Sequence, residues 1–152
     1  MKIARIKKYE QAHFQLLLLA DPNRHLIEQY LKSSFGFEML EGENLIGLIV
    51  LTPIDQFKIE LKNLAIDSKY QHQGYAQKLI QFVTEYAAQR NYHEMVVGTG
   101  TTSFVQLYLY QKMNFRCFAV KTDFFIDNYS KPIFENGLQL RDMLLLHKNL
   151  LK

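Results

Sequence analysis

The stretch Leu64-Ala65-Ile66-Asp67-Ser68-Lys69-Tyr70-Gln71-His72-Gln73-Gly74-Tyr75-Ala76-Gln77-Lys78-Leu79-Ile80 joins an apolar strand end, a short polar loop and the start of an amphipathic helix. A strand that feeds straight into a helix leaves the first backbone N–H groups of that helix unpaired and aimed the same way. The helix dipole adds partial positive charge at the same point, so the turn is an anion site suited to phosphate. Gly74 reaches backbone angles closed to other residues and lets a phosphate come close, and the small Ala76 keeps that approach open. The loop therefore predicts a phosphate-bearing ligand held by the backbone between Gln71 and Gln77.

The remaining bulk properties narrow the class. A chain of 152 residues is expected to form one domain over residues 1–152, burying about 70% of its unfolded surface without a disulfide or metal staple. Charged residues make up 22% and hydrophobic residues 48%, which argues against disorder. The net charge of +3 is mild and its lysines and arginines are scattered, so nucleic acid is not an expected partner; the one small cluster, Arg5-Ile6-Lys7-Lys8, reads as a solvated strand end. A single cysteine, Cys117, permits no internal disulfide and points to the reducing cytoplasm. With no histidine partner nearby in sequence, Cys117 reads as a small buried hydrophobe. Residues Met1 to Arg5 lack the apolar core of a signal peptide. The longest apolar run, Leu16-Leu17-Leu18-Leu19-Ala20, falls far short of the ~20 residues needed to cross a bilayer. It reads as a buried helix end, and no membrane partner is expected. His13, His25, His72, His93 and His147 show no metal-ligand spacing, so no metal is expected.

Periodicity supplies the order of elements. Lys2 to Ile6 alternates as a first strand, and a helix follows over Tyr9 to Ala20. Asp21 as cap and Pro22 in the first turn predict a second helix reaching Ser34. Phe35 to Leu40 and Leu45 to Thr52 form a hairpin around Glu41-Gly42-Glu43-Asn44, and Phe57 to Ile66 is a long strand. Ala76, Leu79, Ile80, Val83 and Ala87 give the next helix one apolar face. His93 to Gly98 is a strand, Thr99-Gly100-Thr101-Thr102-Ser103 leads into a helix ending near Met113, and Phe115 to Ile126 and Leu138 to Leu146 are the last strands. Hairpins pair locally while the helix between the fourth and fifth strands forces a parallel crossover. The predicted fold is α+β: a mixed, mostly antiparallel central sheet of six to seven strands with helices on both faces.

Four features occur in an order that resembles the GNAT superfamily of N-acetyltransferases. Gln71-x-x-Gly74-x-Ala76 follows an apolar strand end, and Leu109-Tyr110-Gln111-Lys112-Met113-Asn114-Phe115 looks like that family's Leu-Tyr-x-x-x-Gly-Phe segment. Ser103 lies seven residues before Tyr110, where the family often has Asn, and Glu60 lies six residues before Ile66, where several members carry a general base. The resemblance covers about Lys58 to Phe118 in motif and the flanks in element order. Asn114 replaces the family's glycine, and Asn tolerates the left-handed backbone that the turn needs.

The resemblance implies a GNAT-like acyl-CoA N-acyltransferase fold and an acetyl-CoA-dependent N-acetyltransferase, with acetyl-CoA as cosubstrate and no metal. Its pyrophosphate would lie on Gln71, His72, Gln73, Gly74, Tyr75, Ala76 and Gln77, with the His72 ring in solvent. Leu64, Ala65 and Ile66 would run beside its arm, and a backbone N–H near Leu64 would meet the oxyanion. Ser103 would contact the arm, Tyr110 would be the general acid, and Glu60 the base. The acceptor would be a primary amine of a small molecule or peptide, attacking directly in a ternary complex. A non-catalytic acyl-CoA sensor or assembly module of the same fold is the alternative. The aromatic and acidic stretch from Thr122 to Gly137, with Asp123, Asp127, Glu135, Tyr129 and Phe134, suits a wall for a cationic amine; core packing or a homodimer contact explains it equally well.

Overall fold

The computed structural model describes residues 1–151. Seven strands, β1 (Lys2–Arg5), β2 (Phe35–Glu41), β3 (Asn44–Pro53), β4 (Lys58–Ile66), β5 (Glu94–Gly100), β6 (Arg116–Lys121) and β9 (Met143–Asn149), make one sheet in the order β1-β2-β3-β4-β5-β9-β6. Every neighbour pair is antiparallel except β4 with β5, where the crossover helix α3 (Tyr75–Gln89) intervenes. Two further short strands, β7 (Phe134–Glu135) and β8 (Leu138–Gln139), pair only with each other.

Helices α1 (Gln11–Ala20) and α2 (Arg24–Leu31) cover one face, burying Leu16, Leu17, Ile27 and Tyr30 against Leu48, Val50 and Ala65. On the opposite face α3 and α4 (Phe104–Lys112) bury Leu79, Ile80, Val83, Ala87 and Tyr110 against Ile49, Leu51, Ile59, Leu61 and Met95. Each such aliphatic side chain contributes about 1.5–3 kcal/mol on burial, so the two faces anchor β4 from both sides.

Several boundaries depart from expectation for identifiable reasons. The second helix starts at Arg24, because the side chain of Asn23 takes the cap, accepting from Leu26 N–H at 3.0 Å. Asp21 instead ends α1 in extended conformation, as a residue before proline prefers, and accepts from Asn23 N–H at 3.0 Å. The strand expected over Phe115 to Ile126 stops at Lys121: Asp123 turns left-handed at φ 59° and a short helix, α5 (Phe124–Asn128), begins. Asn136 and Gly137, at φ 55° and 76°, make the tight turn between β7 and β8, so Leu138 belongs to that hairpin and the last sheet strand starts at Met143. Cys117 is exposed rather than buried, because β6 is an edge strand and both its faces are largely open. Leu16 and Leu17 are buried as expected, but Leu19 is 62% exposed, at the end of α1 beside an open cleft.

Asn114 adopts φ 72° at the end of α4, and Phe115 N–H closes onto Tyr110 O at 2.9 Å. Asn114→Ala is expected to lower stability by about 1–2 kcal/mol and Asn114→Gly to be near neutral, read from urea unfolding midpoints.

Candidate active site

A β-bulge in β4 organises the site. The β3–β4 ladder pairs Val50 with Asn63 and then Leu51 with Leu61, leaving Lys62 as the extra residue. Pairing between β4 and β5 stops at Leu61 and Val97, directly before that bulge, although both strands run on. A bulge bends its strand, and here the bend opens a seam between β4 and β5. Asp67 N–H donates to Ile46 O at 2.8 Å, so the antiparallel alternation turns the N–H and C=O of Leu64 and Ile66 away from β3 and into the seam.

Ile66 O is taken by the Gln71 side-chain amide, which donates to it at 3.0 Å and ties the loop to the strand end. A 3-10 turn (Ser68–Tyr70) follows, capped by Asp67, whose carboxylate accepts from Lys69 N–H at 2.9 Å. Gly74 then stands at φ 85° as the residue before α3. The first bond of that helix runs from Lys78 N–H to Gly74 O at 3.2 Å. Among the described residues, none of the backbone N–H groups from Gln71 to Gln77 has a protein acceptor. Nothing lies within 4 Å of where a Gly74 Cβ would sit, so the space above these donors is open.

A cleft of about 380 Å³ runs from this loop along the seam. One wall is Leu64, Ala65 and Ile66, and the other is the exposed side of α4, with Val105, Tyr108 and Leu109. Gln71, His72, Gly74, Tyr75, Ala76 and Gln77 form the loop end, and Leu19 and Ala20 at the end of α1 also line the cleft. Tyr110 also lines it, from a position with only 6% exposure. Burial pushes the Tyr110 phenol far above its ordinary range, and its ring packs edge-on against Phe115 at 5.7 Å.

The structure thus brings together nearly all the residues expected at the cofactor, with Gln73 and Ser103 placed elsewhere, as is Glu60, the expected base. Gln73 is exposed on the loop and lines no wall. Ser103 is buried at the start of α4, outside the cleft, where its hydroxyl donates to Glu135 at 3.0 Å. Glu60 precedes the bulge, 3.5 Å from Lys62 Nζ, and is half-buried. That Lys62 Nζ also lies 5.4 Å over the Tyr30 ring of α2, which places the pair on the α1–α2 side of the sheet. Of the acids in the stretch from Thr122 to Gly137, Glu135 is held by Ser103, while Tyr129 donates to Asp21 at 2.9 Å. Sequence reasoning missed Leu19, Ala20, Val105, Tyr108 and Leu109 as cleft residues. For Val105 and Tyr108 a signal existed: large apolar side chains on a helix face that the core does not need.

The donors suit a diphosphate, and the seam suits an extended arm with its own amides, as in coenzyme A. No group of three or more His, Cys, Asp or Glu among the described residues is arranged to hold a metal, and no helix is long and apolar enough to cross a membrane. Architecture and cleft together define an acyl-CoA-dependent transferase.

Residues 4–115 match the model of the Acetyltransferase (GNAT) family. A protein of Bacillus subtilis (strain 168), described as an uncharacterized N-acetyltransferase, YvbK, is 35% identical over 153 residues, covering 99% of each chain. The crystal structure of a GNAT family acetyltransferase from Elizabethkingia anophelis with acetyl-CoA bound is 40% identical and has a TM-score of 0.94 over 97% of each chain. A Bacillus subtilis acetyltransferase in complex with CoA has a TM-score of 0.93 at 35% identity over 99% of each chain. The chain belongs to the GNAT family of acetyltransferases. It is an N-acetyltransferase, and acetyl-CoA is its cosubstrate.

Proposed function

We propose that this protein acetylates a primary amine of a small molecule or peptide by direct attack in a ternary complex. The observation that carries this reading is the open seam with its free backbone donors at Leu64 and at Gln71 to Gln77, ending beside a buried phenol. Acetyl-CoA, when bound, supplies the thioester. The loop donors from Gln71 to Gln77 grip its diphosphate, and Leu64, Ala65 and Ile66 hold its arm in the place of a missing strand. Leu64 N–H is aimed where negative charge grows on the carbonyl oxygen. Tyr110 O–H gives its proton to the departing thiolate.

A lysine-like amine has a pKa near 10.4, so freeing its lone pair costs about 4–5 kcal/mol at pH 7 and a base helps. Glu60 takes that proton, directly or through water. Glu60→Gln is expected to lower kcat by about 10²-fold at pH 7, with acetyl-CoA affinity unchanged by calorimetry. A kcat within twofold of the parent would remove Glu60 from the mechanism. Ser103 contributes to the site by holding Glu135 and the β7–β8 hairpin against α4.

The reaction itself is tested by release of free coenzyme A across an amine panel. Turnover with at least one amine is expected. Calorimetric binding of acetyl-CoA with no turnover on any amine would favour the acyl-CoA sensor instead. One continuous sheet supports reading residues 1–152 as one domain, the unpaired Cys117 supports the cytoplasm, and the open β6 edge allows a homodimer.

A further inference from the structure

Next in the chain to Leu19 and Ala20, which line the cleft, lies a polar cluster to which the transfer chemistry assigns no part. Asp21 is the next residue in the chain. Its Oδ1 accepts two hydrogen bonds, from Asn23 N–H at 3.0 Å and from the Tyr129 hydroxyl at 2.9 Å. The Tyr129 ring in turn stacks on Phe125, with centroids 5.6 Å apart and an interplanar angle of 30°. Asp21 is half-buried, and among the described residues no cationic group lies within 4.0 Å of it. Both of its hydrogen bonds fall on one oxygen. The last carbonyls of α1 add partial negative charge at the same corner.

The charges of Asp21 and Glu60 act on one buried group. The Tyr30 hydroxyl, which receives the Asn63 amide at 2.9 Å, is raised in pKa by burial first and then by the charges of both acids. Asn63 also donates to Leu17 O at 3.2 Å, so the end of α1, and with it Asp21, is tied to β4 one residue before Leu64. Lys62 is engaged with Glu60 at 3.5 Å and lies 5.4 Å over the Tyr30 ring, and Asp21 has no ion pair of its own. A carboxylate with one oxygen held by two donors, no counter-ion and a stacked aromatic pair alongside matches a ligand cation.

We propose that Asp21, oriented by Tyr129, selects acceptors that carry a second cationic group a short chain away from the amine to be acetylated. This rests on the transferase reading above and names the class of acceptor it takes. The reactive amine lies toward Glu60 and the seam, while the second cation lies against Asp21 and the Tyr129–Phe125 pair.

The test measures kcat/KM for 1,4-diaminobutane, butylamine and 4-aminobutanoate, which share a chain length and differ in the far group. The parent protein is expected to prefer the diamine over butylamine by about tenfold or more, with 4-aminobutanoate poorest. In Asp21→Asn the amide oxygen still accepts from Tyr129 and Asn23, so the turn is kept. The diamine-to-butylamine ratio should then fall by about tenfold, through KM rather than kcat, and Asp21→Glu should recover part of it. A parent preference for butylamine or 4-aminobutanoate would overturn the proposal while leaving the transferase reading intact. An unchanged ratio in Asp21→Asn would also overturn it, whether both rates fall together or neither does. Acetyl-CoA binding with no turnover of any amine would overturn the transferase reading, and this proposal with it.

Discussion

Gly74→Glu is expected to abolish measurable acetyl-CoA binding by calorimetry, a loss of at least about 10³-fold in affinity, while far-UV circular dichroism stays that of the parent. The side chain would project into the open space above the loop donors, where nothing now lies within 4 Å. There a carboxylate competes for the same N–H groups as the diphosphate and repels its charge. A smaller cost comes from the backbone. At φ 85° a residue with a Cβ is strained by about 1–2 kcal/mol, which Gly74→Ala isolates. Gly74→Ala should therefore bind acetyl-CoA more weakly but detectably. Parent-like affinity in Gly74→Glu would remove the loop from the binding site.

Tyr110→Phe is expected to lower kcat by about 10²-fold or more, with acetyl-CoA affinity changed less than threefold. Loss of the hydroxyl removes a proton donor and no wall, because the ring still packs on Phe115. Burial holds the phenol protonated well past its ordinary range, so it keeps its proton throughout neutral pH. The sign of the linked stability follows. A group whose pKa is higher when folded stabilises fully below its unfolded value, near 10, and that contribution is lost as pH rises through the folded value. Tyr30 and Tyr129 are raised in the same sense, chiefly by burial, and Tyr9 is pushed up to about 12. Urea midpoints should accordingly be flat with respect to these phenols below pH 10 and fall above it, and Tyr110→Phe should flatten part of that fall. An equal loss of kcat and acetyl-CoA affinity would show that Tyr110 packs the cleft and donates nothing.

What could be seen in the residues alone was local. The run from Leu64 to Ile80 announces a strand, a turn and a helix within one short window, and a left-handed residue at Gly74 is the one a tight turn into a helix needs. The apolar face of α3 is equally self-contained: Leu79, Ile80, Val83 and Ala87 are all fully buried. The partners of Ser103 and Asp21 were hidden because they lie 32 and 108 residues away in the chain. No spacing rule reaches that far. The end of α1 was misjudged for a related reason: a leucine run reads as core, but only packing reveals that Leu19 is exposed and lines a cleft. The strand expected beyond Lys121 failed at Asp123, where one left-handed residue outweighs a long aromatic run.

Lys62 has a consequence that its surface position conceals. By occupying a place in β4 that β3 does not match, it reverses the parity of everything after it: Leu61 faces α3 and α4, yet so does Leu64, while Asn63 and Ala65 look toward α1 and α2. Deleting this one amino acid would restore an unbroken weave in which Leu64 keeps its layer but β4 loses its bend, and would stitch shut the gap through which the nucleotide's tail must thread. The capacity to bind resides in a single miscounted step of the chain, and a shortened protein could remain well folded while having nowhere left to do chemistry.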